Sequence, residues 1–127
     1  MTHSPLHAAA LAVLLASFSA QAADEVRKDP AMLKLASTAG CLTCHSIESG
    51  KPGPDGQKPI GPAWSDVAAQ YRGKPAASQF LTRVVLEGSN PYSSHWRGKV
   101  SGIAMPPNAV AITEGETRLL VSWILAL

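Results

Sequence analysis

The chain has 127 residues, of which 46% are hydrophobic and 16% are charged, and its formal net charge is +2. This length supports one small domain. No polybasic run with interleaved aromatic residues is present, so the composition argues against a nucleic-acid-binding protein. Such a small net charge is only a weak indication of an acidic partner.

Residues 1–22 have the pattern of a secretory signal peptide, with an apolar run over residues 8–18 and a small-x-small cleavage site at residues 20–22. The segment before the run lacks Lys and Arg, which leaves an uncleaved anchor as the alternative, although the run is short for a membrane span. Cleavage after Ala22 leaves residues 23–127 as a single domain that keeps every charged side chain and has no stable membrane insertion.

The first predicted helix begins at Asp29 and Pro30, a good N-cap residue followed by a proline where no backbone donor is needed. Apolar residues then recur on one stripe of this helix, which leads directly into the next motif. The residues of the stripe are Met32, Leu35, Ala36 and Ala39.

Cys41, Cys44 and His45 form a CxxCH sequence, the attachment motif of a c-type haem. In a helical turn both thiols can reach the vinyl groups on one side of a porphyrin, and His45 lies on the same face to coordinate the iron. We therefore predict one haem c, bound covalently through both cysteines, with His45 as the proximal iron ligand.

Three other interpretations of the two cysteines are weaker. A redox dithiol is expected in a βαβ context, and the sequence lacks the β-branched strands of such a unit. A structural zinc site needs four ligands, and His95 is the only further Cys or His after residue 22. An exported protein with two cysteines is also expected to form a disulfide, but the histidine that follows Cys44 favours haem.

Three more helices, separated by loops, are predicted. Proline and glycine residues mark residues 49–59 as a surface loop. Short helices follow over about residues 65–72, ended by Gly73, and about residues 76–87, ended by Gly88. The apolar residues predicted to face inward are Val67 and Tyr71 in the first helix, and Phe80, Leu81, Val84 and Val85 in the second.

Residues 89–102 are predicted to form a long loop, because they combine an Asn-Pro pair with a cluster of polar residues. The last helix has a capping box formed by Thr113 and Glu116. Its apolar positions are Leu119, Leu120, Trp123 and Ile124. No repeat or convincing strand is found, so the predicted fold class is all-α.

The second iron ligand decides the type of function, because an open sixth position favours gas binding or catalysis and a filled one favours electron transfer. Met105 is the best candidate, since it lies sixty residues after His45 in a loop stiffened by two consecutive prolines. Its alternative role is packing against apolar neighbours. Met32 lies mid-helix and is assigned to the core, whereas His95, in a polar loop, is the rival ligand.

Taken together, these motifs resemble the short bacterial class I cytochromes c. The segments that carry the resemblance are GCLTCH at residues 40–45, IGPAWSDVA at residues 60–68, MPPNAV at residues 105–110 and WIL at residues 123–125. Their order and approximate spacing cover nearly all of residues 23–127. The resemblance implies a class I cytochrome c fold, with about four helices around one haem and the N- and C-terminal helices crossing.

In the predicted crossing, Leu35 or Ala36 lies near Leu120 and Trp123. Two further contacts of the haem site follow from the resemblance alone.

The first of these contacts is a hydrogen bond from the ring of His45 to the carbonyl of Pro62, which orients the proximal ligand. The second is a hydrogen bond from Asn108 near the Met105 sulfur, which tunes the distal ligand.

The loops over residues 49–59 and 92–99 are longer than in the smallest members of this family. In family members a Trp close before the ligand methionine often reaches a haem propionate. Trp96 lies nine residues ahead of Met105, so an exposed docking residue is the alternative role for its side chain.

The sequence therefore predicts a periplasmic mono-haem electron carrier with His/Met-ligated iron, which is not an enzyme. Its expected partners are redox proteins, such as a periplasmic dehydrogenase, oxidase or reductase. The long loop over residues 92–99 motivates an alternative, a dedicated cytochrome subunit of a periplasmic dehydrogenase, for example a sulfite-oxidising one. A haem enzyme or gas sensor with an open distal site is the minor alternative.

Overall fold

The computed structural model describes residues 24–127, so the predicted signal peptide lies outside the described part of the chain. After a helical turn over residues 24–27, four α-helices and two short 3-10 helices follow, and no β-strand is found between residues 24 and 127. The α-helices are α1 (Pro30–Thr38), α2 (Trp64–Tyr71), α3 (Ala77–Glu87) and α4 (Glu114–Leu125), and the 3-10 helices are Cys41–Thr43 and Pro54–Gly56. The predicted all-α class is confirmed.

The start of α1 follows from its N-cap. The carboxylate of Asp29 accepts hydrogen bonds from the backbone N–H groups of Ala31 (2.9 Å) and Met32 (3.2 Å). These two groups have no partner within the helix, so the cap stabilises its first turn. Beyond the C-terminal end of α1, Gly40 adopts the left-handed conformation (φ +74°) and turns the chain directly into the 3-10 turn Cys41–Thr43.

The inward face of α3 differs from the prediction at one position. Phe80 is 42% exposed and packs its ring against Tyr71, with 5.7 Å between ring centroids. The buried residue of that turn is Thr82, whose hydroxyl donates to the carbonyl of Ser78 at 2.8 Å and so needs no other partner. The buried face of α3 is therefore rotated away from Phe80 toward the side that contacts α4.

The helix α4 has the predicted capping box, in which the Thr113 hydroxyl accepts from the Glu116 N–H and the Glu116 carboxylate accepts from the Thr113 N–H. Leu119 lies on the solvent side and is 60% exposed. The buried face of α4 consists of Thr117, Leu120, Val121, Trp123 and Ile124. This face contacts all three other α-helices.

The predicted crossing of the first and last helices is confirmed. Ala36 is fully buried and shares the core cluster with Leu120 and Trp123, and Leu35 packs against that cluster. The small side chain of Ala36 allows the two helices to approach closely. The indole N–H of Trp123 also donates to the carbonyl of Val26, which ties α4 to the segment before α1.

Between residues 24 and 127, no helix combines the length and the apolar character needed to cross a membrane.

We expect Thr113→Ala to lower the free energy of unfolding by about 1 kcal/mol, because α4 loses the hydroxyl that caps its first turn. Ser122→Ala is the control, since Ser122 is exposed within the same helix and surface changes of this kind stay within about 0.5 kcal/mol. Denaturant unfolding followed by circular dichroism measures both variants. Equal stability of the two variants would contradict a role for the capping box.

Candidate haem site

The helices surround a mostly apolar cavity. It encloses about 1000 Å³ between protein atoms, counting the part that opens to solvent. Side chains of α2, α3 and α4 line it, namely Val67, Leu81, Val84, Val85, Leu120, Val121 and Ile124. The predicted residues Cys41, Cys44, His45 and Met105 all line the same cavity.

Both cysteines of the motif are free thiols, with Cys41 buried and Cys44 exposed. The backbone N–H groups of Cys44 (3.2 Å) and His45 (3.1 Å) donate to the carbonyl of Cys41, which closes the turn that brings the three side chains to one wall of the cavity. Burial raises the pKa of the Cys41 thiol, and the nearby Cys44 adds to this effect. The predicted alternative of a disulfide is thus not observed.

The ring of His45 is oriented by a backbone carbonyl, as the resemblance implies. Its Nδ1 lies 2.7 Å from the carbonyl oxygen of Pro62, and because a carbonyl only accepts, Nδ1 carries the proton. Burial lowers the pKa of His45, while the hydrogen bond to Pro62 opposes this shift in part. The imidazole is therefore neutral near pH 7, and its Nε2 keeps the lone pair that a metal ligand needs.

The segment that carries Pro62 is paired with the segment that carries His45. Three backbone hydrogen bonds join them: Gly61 N–H to the Cys44 carbonyl (2.8 Å), Trp64 N–H to Ser46 (2.9 Å) and Ser65 N–H to Ile47 (3.0 Å). This pairing holds the Pro62 carbonyl in front of the imidazole.

Two neighbours confine the imidazole ring. The indole of Trp64 stacks on it with 5.8 Å between centroids and 19° between planes. On another side, a Cβ placed on Gly61 would lie 2.7 Å from Cε1 of His45. Gly61 is thus required for the close approach of the backbone to the ring.

Met105 is half-buried and belongs to a loop that is attached to the end of α3. Its N–H donates to the hydroxyl of Ser89 (2.8 Å), and its carbonyl accepts from the Ser89 N–H (2.9 Å). Directly after the Pro-Pro pair lies a third attachment, from the Asn108 N–H to the Val85 carbonyl (3.0 Å).

The hydrogen bond predicted between Asn108 and the Met105 sulfur is not observed. The Asn108 amide Nδ2 instead donates to the carbonyl of Ala39 at 3.2 Å and lies 4.0 Å from Sγ of Cys41. The reason is the position of Asn108, whose backbone is bonded to Val85 and whose side chain reaches the C-terminal end of α1, where helix carbonyls lack partners. Asn108 therefore contacts the cysteine side of the site.

His95 and Trp96 differ in burial. His95 is exposed, does not line the cavity with the four predicted residues, and accepts a hydrogen bond from Lys99 Nζ at 2.9 Å. Its pKa is lowered, first by desolvation and then by the positive charges of Lys99 and Lys74. Trp96 is half-buried and lines the cavity, which does not favour the alternative role of an exposed docking residue.

Three residues that shape the site were missed by sequence reasoning: Gly61, Trp64 and Ser89. Gly61 and Trp64 belong to a segment that carried the resemblance, but only Pro62 was assigned a contact there. Ser89 follows the predicted helix-ending Gly88, and no local pattern marks it.

The residues around the cavity fit a haem c. Two thiols on one turn, a neutral imidazole and a thioether are the donor set of a covalently bound, six-coordinate haem. The remaining lining is mostly apolar, as a macrocycle requires. The structure does not support the alternative of a structural zinc site. Within residues 24–127, no group of three or more Cys, His, Asp or Glu side chains is arranged to hold a metal ion.

Comparison with known proteins identifies the family. A sequence model of the family Cytochrome c matches residues 33–127. Cytochrome c-551 of Allochromatium vinosum is 38% identical over 95 residues, which cover 75% of this chain and 84% of the relative. Cytochrome c-551 of Pseudomonas aeruginosa is 34% identical over 117 residues, which cover 92% and 94%.

Solved structures agree with the sequence comparison. The crystal structure of Nitrosomonas europaea cytochrome c552 has a TM-score of 0.57 and 33% identity, and the match covers 75% of this chain and 98% of that one. The class I cytochrome c fold predicted from the motifs is therefore confirmed. The chain belongs to the cytochrome c family, and it is a small electron-transfer protein with a covalently attached haem c.

Proposed function

We propose that this cytochrome carries single electrons between redox proteins in the periplasm, with its haem attached through Cys41 and Cys44 and its iron ligated by His45 and Met105. The observation that carries the proposal is that these four side chains line one apolar cavity. Haem c supplies a reversible one-electron change at its iron. The residues of the chain hold the ligands in place in both oxidation states and exclude water.

On the proximal side, the surrounding residues set the tautomer and the orientation that His45 needs to act as a metal ligand. The Pro62 carbonyl accepts a hydrogen bond from Nδ1, with 2.7 Å between the two heavy atoms, which leaves Nε2 as the coordinating atom. This contact also fixes the ring orientation and raises the basicity of the ligand. Stacking on Trp64 restricts rotation of the ring.

On the distal side, Met105 supplies a soft thioether, which favours the ferrous state more than a second nitrogen ligand does. Leu81, Val85 and Leu120 surround the cavity with apolar side chains that exclude water. A low dielectric disfavours the added charge of ferric iron, so this lining acts in the same direction as the thioether.

The surface beside the distal ligand suits brief contacts with a redox partner. Ile103 and Val110 are 83% and 98% exposed on either side of Met105, and Pro106 is also exposed. Electron-transfer encounters bury little area, so a small apolar patch of this kind is sufficient. Export to the periplasm follows from the signal peptide proposed for residues 1–22, and the partner is a dehydrogenase, oxidase or reductase of that compartment.

A second candidate function is a dedicated cytochrome subunit of a periplasmic dehydrogenase. It is favoured by Tyr92, which is 82% exposed in a long loop that is otherwise well anchored. Lys58 Nζ donates to the carbonyl of Gly98 in this loop at 2.6 Å. Purification from the native periplasm distinguishes the two functions, because a free carrier elutes as a haem protein without a stable partner.

We expect Met105→Ala to keep the haem attached, to abolish the ferric sulfur-to-iron absorption band and to lower the reduction potential by on the order of 100 mV, within the roughly 0.8 V range set by axial ligands. Voltammetry and optical spectra measure these changes. Met32→Ala is the control, since Met32 packs against the core from α1, and its potential should stay close to that of the wild type. A persistent sulfur-to-iron band in Met105→Ala would remove Met105 from the ligand set.

Carbon monoxide binding tests the open-site alternative. The reduced wild-type protein should resist carbon monoxide at neutral pH, because the thioether fills the sixth position, whereas Met105→Ala should bind it rapidly. His95→Ala should behave like the wild type in the same assay. Rapid stoichiometric binding to the wild type would favour a gas sensor or haem enzyme.

We expect Gly61→Ala to destabilise the protein by about 1–3 kcal/mol, because its new methyl group overlaps the imidazole of His45 and forces the ring or the backbone to move. Gly115→Ala is the matched control, since a Cβ at Gly115 meets no atom within 4 Å and alanine favours the helix. Denaturant unfolding of both variants measures the difference. Similar stabilities would show that the site tolerates a side chain at Gly61.

Sequencing of the N-terminus tests export. The mature haem protein recovered from the periplasmic fraction should begin at Ala23, since signal peptidase cleaves after the small-x-small motif. A haem protein that begins at Met1 and sediments with membranes would instead identify residues 1–22 as an uncleaved anchor.

A further inference from the structure

We infer that Ser89 is a positioning residue for Met105, and that its hydroxyl group holds the thioether over the sixth coordination position. The inference rests on the proposed function, in which Met105 is the distal ligand of the iron. Ser89 lies directly after Gly88, outside every motif found in the sequence. Its side chain and that of Met105 line the same cavity.

The contact between the two residues is reciprocal. The Met105 N–H donates to the Ser89 hydroxyl oxygen at 2.8 Å, and the Ser89 N–H donates to the Met105 carbonyl at 2.9 Å. Two hydrogen bonds between the same pair of residues fix the orientation of the Met105 backbone as well as its distance from α3. One of these two bonds depends on a side chain, so a substitution can remove it.

The ligand loop has no substitute for this hydrogen bond. Pro106 and Pro107 have no backbone N–H, so the N–H of Met105 is the only main-chain donor in the three-residue segment 105–107. The prolines restrict the φ angles of the loop but do not attach it to α3. Without the Ser89 hydroxyl, Met105 keeps only the bond from the Ser89 N–H to its carbonyl, and the next attachment along the chain is the hydrogen bond from Asn108 to Val85.

The end of α3 is shaped for this close approach. Gly88 has a φ of +87°, and a Cβ at this position would lie 2.9 Å from the Met105 carbonyl oxygen and 3.1 Å from the Pro107 backbone nitrogen. Only glycine allows the ligand loop to lie this close to the helix end. Both Ser89 and Met105 are partly buried, and hydrogen bonds shielded from water are electrostatically stronger.

Nearby serine hydroxyls do not perform the same role. Ser94 accepts from the N–H of Trp96 at 3.2 Å, and Ser101 donates to the Pro59 carbonyl at 3.3 Å. Ser101 precedes Met105 by only four residues, yet its hydroxyl points to a different segment. Ser101→Ala is therefore a matched control for loss of a serine hydroxyl close to Met105 in sequence.

The test uses the full holoprotein and three variants of it, Ser89→Ala, Ser89→Thr and Ser89→Val. Threonine and valine have similar side-chain volumes, but only threonine has a hydroxyl group. Three properties are measured: the covalently bound haem, the ferric sulfur-to-iron band over a temperature series, and the association rate of carbon monoxide with the reduced protein. If the Ser89→Ala protein does not fold well enough to be purified, the comparison of Ser89→Thr with Ser89→Val tests the inference.

We expect all variants to retain the haem. Ser89→Ala and Ser89→Val should bind carbon monoxide about five-fold faster than the wild type, the change expected when one hydrogen bond is lost. Their sulfur-to-iron band should also disappear at a lower temperature. Ser89→Thr and Ser101→Ala should match the wild type in both properties. A merely structural role would affect Thr and Val alike, because both add the same bulk.

Unchanged rates and bands in Ser89→Ala and Ser89→Val would overturn the inference, as would identical behaviour of Ser89→Thr and Ser89→Val. Met105→Ala, measured in parallel, separates this failure from that of the proposed function. If Met105→Ala lacks the band while the Ser89 variants keep wild-type rates, only the positioning role of Ser89 fails. If Met105→Ala retains the band, the ligand assignment itself fails.

Discussion

The pairing of residues 61–65 with residues 44–47 sets the geometry around His45, and through it the proximal side of the site. Its three backbone hydrogen bonds set the distance between the Pro62 carbonyl and the ring of His45. The same pairing starts α2 at Trp64, whose indole stacks on the imidazole and meets the edge of Trp123 at 5.5 Å and 81°. The orientation of His45 is thereby connected to the core of the molecule through α4.

The two sides of the site are constructed differently. The proximal residue His45 is held by backbone hydrogen bonds, a stacked ring and the adjacent attachment turn, all of which restrict it together. The distal residue Met105 lies in a loop without regular structure and is attached to the end of α3 at Ser89 and Val85. Fewer constraints act on Met105, so its position is more sensitive to a single side chain.

The end of the surface loop over residues 49–59 is joined to the loop that precedes Met105. The N–H groups of Ser101 and Gly102 donate to the carbonyls of Pro59 and Ile60 at 2.9 and 3.0 Å, and Lys58 adds a contact to the same loop. This pairing places the segment around Trp96 against the cavity. Ile60, Trp96 and Gly102 from these two segments line the cavity together.

Local patterns were enough to predict the helices, the attachment motif and the candidate ligands, because caps, prolines, glycines and the CxxCH spacing act over a few residues. The buried face of α3, which leaves Phe80 exposed, was set by the packing of α3 against α4. The tertiary structure also decided the partner of Asn108, whose amide reaches Ala39 across 69 positions of the chain, and the contact of Ser89 with Met105. Such contacts depend on how separate segments dock, and local residue patterns carry no information about docking.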